Sequence, residues 1–389
     1  MRAENKKQVF LCDGDMDMMK NIKTNALASL VIIALFLTGC GARFDKEIKI
    51  GLVCSQSDIS NDYPEMLTGM EFAAEDIARK YNKGEYSVSV EIFNDKGESG
   101  NSDAQAKKAL GEKSIDYIAV MSNDDFIDRT GETLGDGKKV TFWLDDGGHL
   151  ARGNESKNQF YLTYDLSDRA TGLTNYCVKK KVKSLSVLYS AKNSNGGIGH
   201  ALIEEAGSAG IDTDSQVMLN SFSFDEYKEK LKKDMPDAVA VLTDEPEENI
   251  KIIRGVKTIL PNCVILTDSY MDNADFIKKN QWLMEGVVLP SRIKSDWNKN
   301  EINKISERYE TLYGKEIETD WFFHGYYALM ELAEATVNCK TSKADTVNKY
   351  LTRSSSGRYN FNDAGIIMCD DLSVQIVKNG ELKKVSGIK

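Results

Sequence analysis

The sequence predicts an α/β chain in which parallel sheets are covered by helices on both faces and divided between two lobes. Three observations predict it. Short apolar runs alternate with amphipathic stretches along most of the 389 residues, and strands alternating with helices of that length imply parallel sheets. The cycle repeats, over a length that suits two lobes of ordinary domain size. No stretch rich in Pro, Gly or Ser separates the cycles and only five prolines occur, so short crossovers are expected to join the lobes.

The N-terminal segment stands apart from this alternation. Lys20 and Lys23 make a positive start after Met19, and Ala26 to Phe36 is an apolar run interrupted only by Ser29. A span of the hydrocarbon core takes ~20 apolar residues. This run is shorter and reads as the apolar region of an export signal. It ends in Leu37-Thr38-Gly39-Cys40, which resembles the lipobox cut by lipoprotein signal peptidase. That chemistry needs a thiol, because the cysteine sulfur forms a thioether to diacylglycerol before cleavage. Residues 1–39 are therefore expected to be a signal region and Cys40 the lipidated residue, its two acyl chains giving stable anchoring. Asp13, Asp15 and Asp17 sit where positive charge is expected, so translation is expected to start at Met18 or Met19, leaving 1–18 unmade. The same run lacks the glycine and glutamate of a calcium loop and is read as chance.

Strands are expected over 48–53, 87–93, 117–121 and 140–144, with helical patterns over 65–81, 104–111 and 125–134. The second cycle gives strands over 185–189, 216–220, 238–243, 264–267 and 286–290, with helices over 169–180, 200–209, 225–233, 247–258 and 274–279. Turn residues at Asn94-Asp95-Lys96-Gly97 and Gly207-Ser208-Ala209-Gly210 fall where strands and helices should end. Two helices follow, over 304–312 and 321–337. The C-terminus turns to β structure at 359–361, 366–368 and 374–377. The expected lobes are 45–165 with 292–355, and 166–291 with 356–389.

Composition narrows the function. Removing 1–39 takes five of the 50 basic residues and four of the 60 acidic ones, leaving 45 against 56, a net −11. An acidic chain without a basic patch argues against nucleic acid. Beyond Cys12 and Cys40, five cysteines are scattered and lack C-x-x-C spacing; buried free thiols are the expectation, with a disulfide among them as the alternative. His149, His200 and His324 are the only histidines and show no metal-binding spacing. There is no G-x-S-x-G elbow, no phosphate-binding loop and no dinucleotide fingerprint. The sequence therefore points away from an enzyme and implies no cofactor and no metal.

Four stretches resemble the type 1 periplasmic-binding fold, specifically the branched-chain amino-acid-binding type of ABC-transporter substrate-binding protein. They are Ile48–Val53 with Gly69–Asp76; Tyr164–Asp168 with Gly172, Ser186–Tyr189 and Gly197–Gly199; Pro236–Val239 through Ile253 with Met284–Val287; and Tyr309–Gly314 with Gly325–Ala328 and Phe361–Gly365. The resemblance covers almost the whole chain after Cys40, in order. It implies two Rossmann-like lobes about a hinge that close on a small polar solute, amino-acid-like, with an ABC permease as partner and the membrane reached through the lipid on Cys40. A monomer is expected. A ligand-sensing lipoprotein that signals to a membrane receptor is the alternative, since it needs the same cleft.

Ligands of open parallel sheets sit beyond the carboxyl ends of the strands. The candidate ligand-binding residues are therefore Ser55, Tyr63, Ser122, Asn123, Asp145 and Asp146 in the first lobe and Asn193, Glu245, Asp268 and Tyr270 in the second. The resemblance implies that hydroxyl and backbone N–H groups near Ser122 and the Asp145–Gly148 loop hold a ligand carboxylate, and that an acid near Asp268 holds its ammonium. The chain departs from the family pattern at Val120-Met121, at Gly196 and at Asp145-Asp146. Two ionised aspartates beside a ligand carboxylate need compensation, which points toward a cationic or polyhydroxylated solute. Capping of helix N-termini is the competing role for each acid.

Overall fold

The structure is a computed structural model that describes residues 46–55, 62–81, 85–98, 100–121, 127–144, 157–190, 194–213, 216–219, 224–243, 245–292, 298–353, 359–368 and 372–386. The signal region, Cys40 and Cys369 lie outside them.

Two sheets organise the chain. The first contains β1 (Lys46–Cys54), β2 (Tyr86–Asn94), β3 (Tyr117–Met121), β4 (Val140–Trp143) and β5 (Gln159–Tyr164), with the short β11 (Ile366–Ile367) at its edge. Its order is β11-β5-β4-β3-β1-β2, parallel throughout. The second contains β6 (Leu185–Ser190), β7 (Gln216–Leu219), β8 (Ala238–Leu242), β9 (Val264–Leu266) and β10 (Val288–Pro290), followed by β12 (Val374–Lys378) and β13 (Glu381–Lys384). Its order is β13-β12-β10-β9-β8-β6-β7, with the last two strands antiparallel. The first five strands of each sheet thus share one doubly wound order, which is the repeated cycle visible in the sequence.

Burial explains the apolar runs. Strands of a parallel sheet are covered on both faces and read as continuous apolar runs. In β1, Ile50, Leu52 and Cys54 enter one core cluster while Val53 enters the cluster on the opposite face. All four residues of β4 and all five of β8 are buried. The helices that cover the sheets are α1 (Asp62–Lys80), α2 (Asn101–Gly111) and α3 (Ile127–Gly135) in the first cycle, and α4 (Leu166–Lys179), α5 (Ser194–Ser208), α6 (Phe224–Asp234), α7 (Pro246–Ile259), α8 (Ala274–Lys279) and α9 (Gln281–Met284) in the second. Then come α10 (Lys299–Tyr313), α11 (Trp321–Cys339) and α12 (Ala344–Arg353).

Two glycines let α1 and α11 touch backbone to backbone. A Cβ on Gly69 would lie 1.8 Å from the Phe322 carbonyl oxygen, and one on Gly325 would lie 2.3 Å from that of Met66. Arg308 of α10 ties the same layer together: it donates to Asp76 at 2.5 and 3.1 Å, and Tyr326 adds a hydroxyl to that carboxylate at 2.8 Å. Glu65, buried in α1, accepts the backbone N–H groups of Glu318 and Thr319 at 2.8 and 2.6 Å. It thereby fixes the turn that enters α11.

The structure departs from the sequence reading at three places. β5 occupies 159–164, which strict strand–helix alternation left unassigned. α12 presents only a thin buried stripe, Val347, Asn348 and Leu351, and was not expected. β13 is charged and forms as the return arm of a hairpin through Asn379 and Gly380, both at positive φ. The segment after 356 serves both sheets. Ile366–Ile367 pairs with β5 of the first sheet, and only at Val374 does the chain join the second. Asn362 causes this: its side-chain oxygen accepts the N–H groups of Ala364 and Ile366 at 3.0 and 2.9 Å. Gly365, at φ +76°, presents its carbonyl to the N–H of Tyr161 at 2.8 Å. Phe361 is held in the first core against Phe142 and Phe160, with ring centroids 5.8 and 5.0 Å apart.

The chain passes between the sheets after β5, after β10 and after β11. The second and third passages run side by side. The Ser291 N–H donates to the Ser373 carbonyl at 2.8 Å, the two hydroxyls lie 2.8 Å apart, and the Gln375 amide donates to the Ser291 hydroxyl at 3.2 Å.

Cys54, Cys177, Cys263 and Cys339 are free thiols, the first two buried. Burial pushes the Cys177 thiol up to about 12, and burial together with the charge of Asp237 does the same for Cys263.

Candidate functional site

In a doubly wound sheet the crevice lies beyond the carboxyl ends of the strands, where the order reverses. Here that point is between β1 and β3 in the first sheet and between β6 and β8 in the second. Parallel pairing keeps these strand ends level, since Cys54 lies beside Met121 and Tyr189 beside Leu242. By their positions in the chain the sequence candidates follow strand ends, some at these points and some one strand away. Ser55 follows β1; Ser122 and Asn123 follow β3; Asn193 follows β6; Glu245 follows β8; Asp268 and Tyr270 follow β9. Ser122, Asn123, Asp145, Asp146 and Asn193 lie outside the described residues, as does the side chain of Tyr63, whose backbone begins α1.

Ser55 is buried, and its hydroxyl has no hydrogen-bond partner among the described residues. Glu245 is the N-cap residue of α7, but its carboxylate makes no capping bond and the residue is exposed. Capping is thus not the role of this acid. Tyr270 is half-buried and donates its hydroxyl to the Thr243 carbonyl at 2.5 Å, tying the loop after β9 to the loop after β8.

Asp268 is differently placed. It is 3% exposed and already carries several donors. The Ser269 N–H reaches Oδ1 at 2.7 Å, the capping contact of the short helical turn over Ser269–Met271. Nη1 of Arg169 reaches Oδ1 at 3.1 Å, Oδ2 at 3.0 Å and the Ser269 hydroxyl at 2.9 Å. Arg169 sits in the first turn of α4 and is itself 2% exposed. Sequence reasoning missed it: an arginine near a helix start reads as solvated, and no spacing rule links it to an acid 99 residues away.

Beside this pair, Asn249 of α7 accepts from the Thr243 N–H at 3.1 Å and the Thr243 hydroxyl at 2.8 Å, both on its side-chain oxygen. Its amide nitrogen has no acceptor among the described residues, and neither has Nε of Arg169. The second lobe therefore offers an internally neutralised ion pair and two buried N–H donors close behind its strand ends. Among the described residues no group of three or more His, Cys, Asp or Glu side chains is arranged to hold a metal ion, and no helix is long and apolar enough to cross a membrane.

Comparison with solved structures supports this architecture. The chain is similar to a leucine-binding protein of Thermotoga maritima, with 17% identity over 87% of this chain and 98% of that one and a TM-score of 0.69. It is equally similar to an ABC transporter substrate-binding protein of Desulfitobacterium hafniense solved with Leu, with 16% identity, 87% and 100% coverage and a TM-score of 0.71. A solute-binding protein of R. palustris in complex with benzoate shares 11% identity over 87% of this chain and 96% of that one, with a TM-score of 0.66. At these identities the likeness shows the fold. No match emerges among the curated proteins. The sequence profile of the periplasmic binding protein family matches residues 47–364, from the first residues of β1 to the turn before β11. The profile covers most of the chain and the fold agrees with it: this chain belongs to the periplasmic binding protein family.

Proposed function

We propose that the chain is an extracytoplasmic solute-binding protein, tethered to the membrane by lipid on Cys40, that closes its two lobes on a small polar solute of the amino-acid kind and presents it to an ABC permease. The observation that carries this reading is the doubled switch point. Each sheet has its own order reversal, and buried polar groups stand at both, Ser55 in one lobe and Thr243 with Asn249 in the other. A single doubly wound sheet supplies one half of such a crevice; two supply both walls.

Three short passages between sheets suit hinge closure around a ligand, in which a few residues between rigid bodies absorb the change. The solved relatives favour small carboxylates: one is complexed with Leu and another with benzoate. Charged hydrogen bonds in a closed, water-poor cleft are the strong kind, which suits solutes of that class.

A thermal-shift screen tests the proposal, using amino acids, organic acids, polyamines, sugars and nucleosides on the purified chain. A solute at about 100 times its dissociation constant adds about 2.7 kcal/mol to stability, a shift of several degrees. A saturable rise with one chemical class is expected. No rise with any class would contradict the solute-binding reading. Labelling of the membrane-anchored protein with a radioactive fatty acid, lost in Cys40→Ser, checks the tether.

A further inference from the structure

We infer that the second lobe reads its solute through oxygen atoms and not through an ammonium group, because Arg169 neutralises Asp268, the carboxylate expected to receive it. The inference rests on the solute-binding reading above and names the chemical class that the site accepts: small solutes whose end toward the second lobe is an uncharged or carboxylate oxygen group, with no ammonium required there.

The geometry carries it. Asp268, in the loop after β9, is the acid expected to meet a solute amine, yet it is buried and engaged on both oxygens. Nη1 of Arg169 is 3.0–3.1 Å from the two carboxylate oxygens and 2.9 Å from the neighbouring Ser269 hydroxyl. The Ser269 N–H adds a further donor to Oδ1 at 2.7 Å. With both residues buried, the pair contributes no net charge to the strand ends. A solute ammonium brought to Asp268 would also approach the Arg169 guanidinium, a like charge that disfavours it.

The second lobe also holds buried N–H donors that its described residues leave unused. Nε of Arg169 and the amide nitrogen of Asn249 are buried N–H donors without an acceptor among the described residues. Asn249 is committed in that sense, since its oxygen accepts twice from Thr243 at the end of β8. Buried donors demand an acceptor. A carboxylate, carbonyl or hydroxyl oxygen of the solute supplies one, directly or through one bridging water.

Matched solutes test this by titration calorimetry on the full chain. Each pair shares a carboxylate and side chain and differs at C2: leucine against 2-hydroxy-4-methylpentanoate and 4-methylpentanoate, phenylalanine against 3-phenylpropanoate. Benzoate and a polyamine complete the set. The expected result is that the ammonium-free member of a pair binds at least as tightly as the amine, and that the polyamine does not bind. An amine member that binds more than tenfold tighter overturns the inference. Arg169→Gln, by releasing the charge of Asp268, should shift the preference toward the amine by at least tenfold; an unchanged ratio overturns it.

Arg169→Leu with Asp268→Leu removes the pair as a unit, should the single variant fail to fold. It should alter affinity for both members of a pair alike, whereas selective loss of the amine member would show that Asp268 is the ammonium receptor. If nothing in the series binds, and nothing in a wider panel of sugars and nucleosides, the solute-binding reading fails and takes this inference with it.

Discussion

Gly69 and Gly325 sit inside helices, where alanine is the better helix former by about 1 kcal/mol. Their places are explained by packing, because each would drive a Cβ to within 2.3 Å of a carbonyl oxygen on the opposite helix. Gly69→Ala and Gly325→Ala are therefore expected to destabilise the chain by about 1–3 kcal/mol, read as a lower urea midpoint. A neutral or stabilising effect would mean that α1 and α11 do not touch there. The thiols give a second test at this scale. Cys177 and Cys263 are pushed up to about 12, by burial first, so they are protonated at neutral pH and poor nucleophiles. Iodoacetamide should modify both in urea and spare Cys177 in the native chain; rapid native labelling of Cys177 would contradict its burial. Single residues were partly legible in the sequence. Ser55 and Glu245 could be placed at strand ends because strand ends are legible from apolar runs. Arg169 was not, since its role depends on a contact 99 positions away that no local pattern encodes.

Elements were legible where their period was strong and lost where tertiary pairing made them. The apolar runs of β1, β3 and β8 announced themselves. β13 carries Glu381, Lys383 and Lys384 outward and owes its existence to β12; the available signal was Asn379-Gly380, the dipeptide favoured in tight hairpins. The transfer of Ile366–Ile367 to the first sheet followed from the Asn362 turn and Gly365, which close a bend that strand propensity does not describe. Glu65 offers the test at this scale. Its carboxylate holds two backbone N–H groups ahead of α11, and α11 has no side-chain cap of its own at Asp320. Glu65→Ala should cost about 1.5–3 kcal/mol, the range for hydrogen bonds to a charged group. Hydrogen exchange should show the loss first at Glu318 and Thr319. Unchanged exchange there would dismiss Glu65 as the anchor.

The whole molecule repeats one plan twice, and that plan is what its sequence conveyed best. Two sheets of the same strand order, linked by three short passages, follow from a cycle of strands and helices with no flexible tether in between. The placement of the switch points follows from that order, and with it the location of the crevice. The buried polar groups of the second lobe were less legible, because an ion pair and two donors left over after internal bonding emerge only when the lobe has folded. Ser291 and Ser373 bind the second and third passages together, so hinge movement should engage them jointly. A cleft shared by two lobes takes a fixed number of solutes for each chain. Titration calorimetry of the full chain with the best solute from the thermal screen measures it. The prediction is saturable binding at one solute per chain, as the proposed closure of two lobes on a single molecule requires. Heat that never saturates, or independent binding of one solute per lobe, would contradict it.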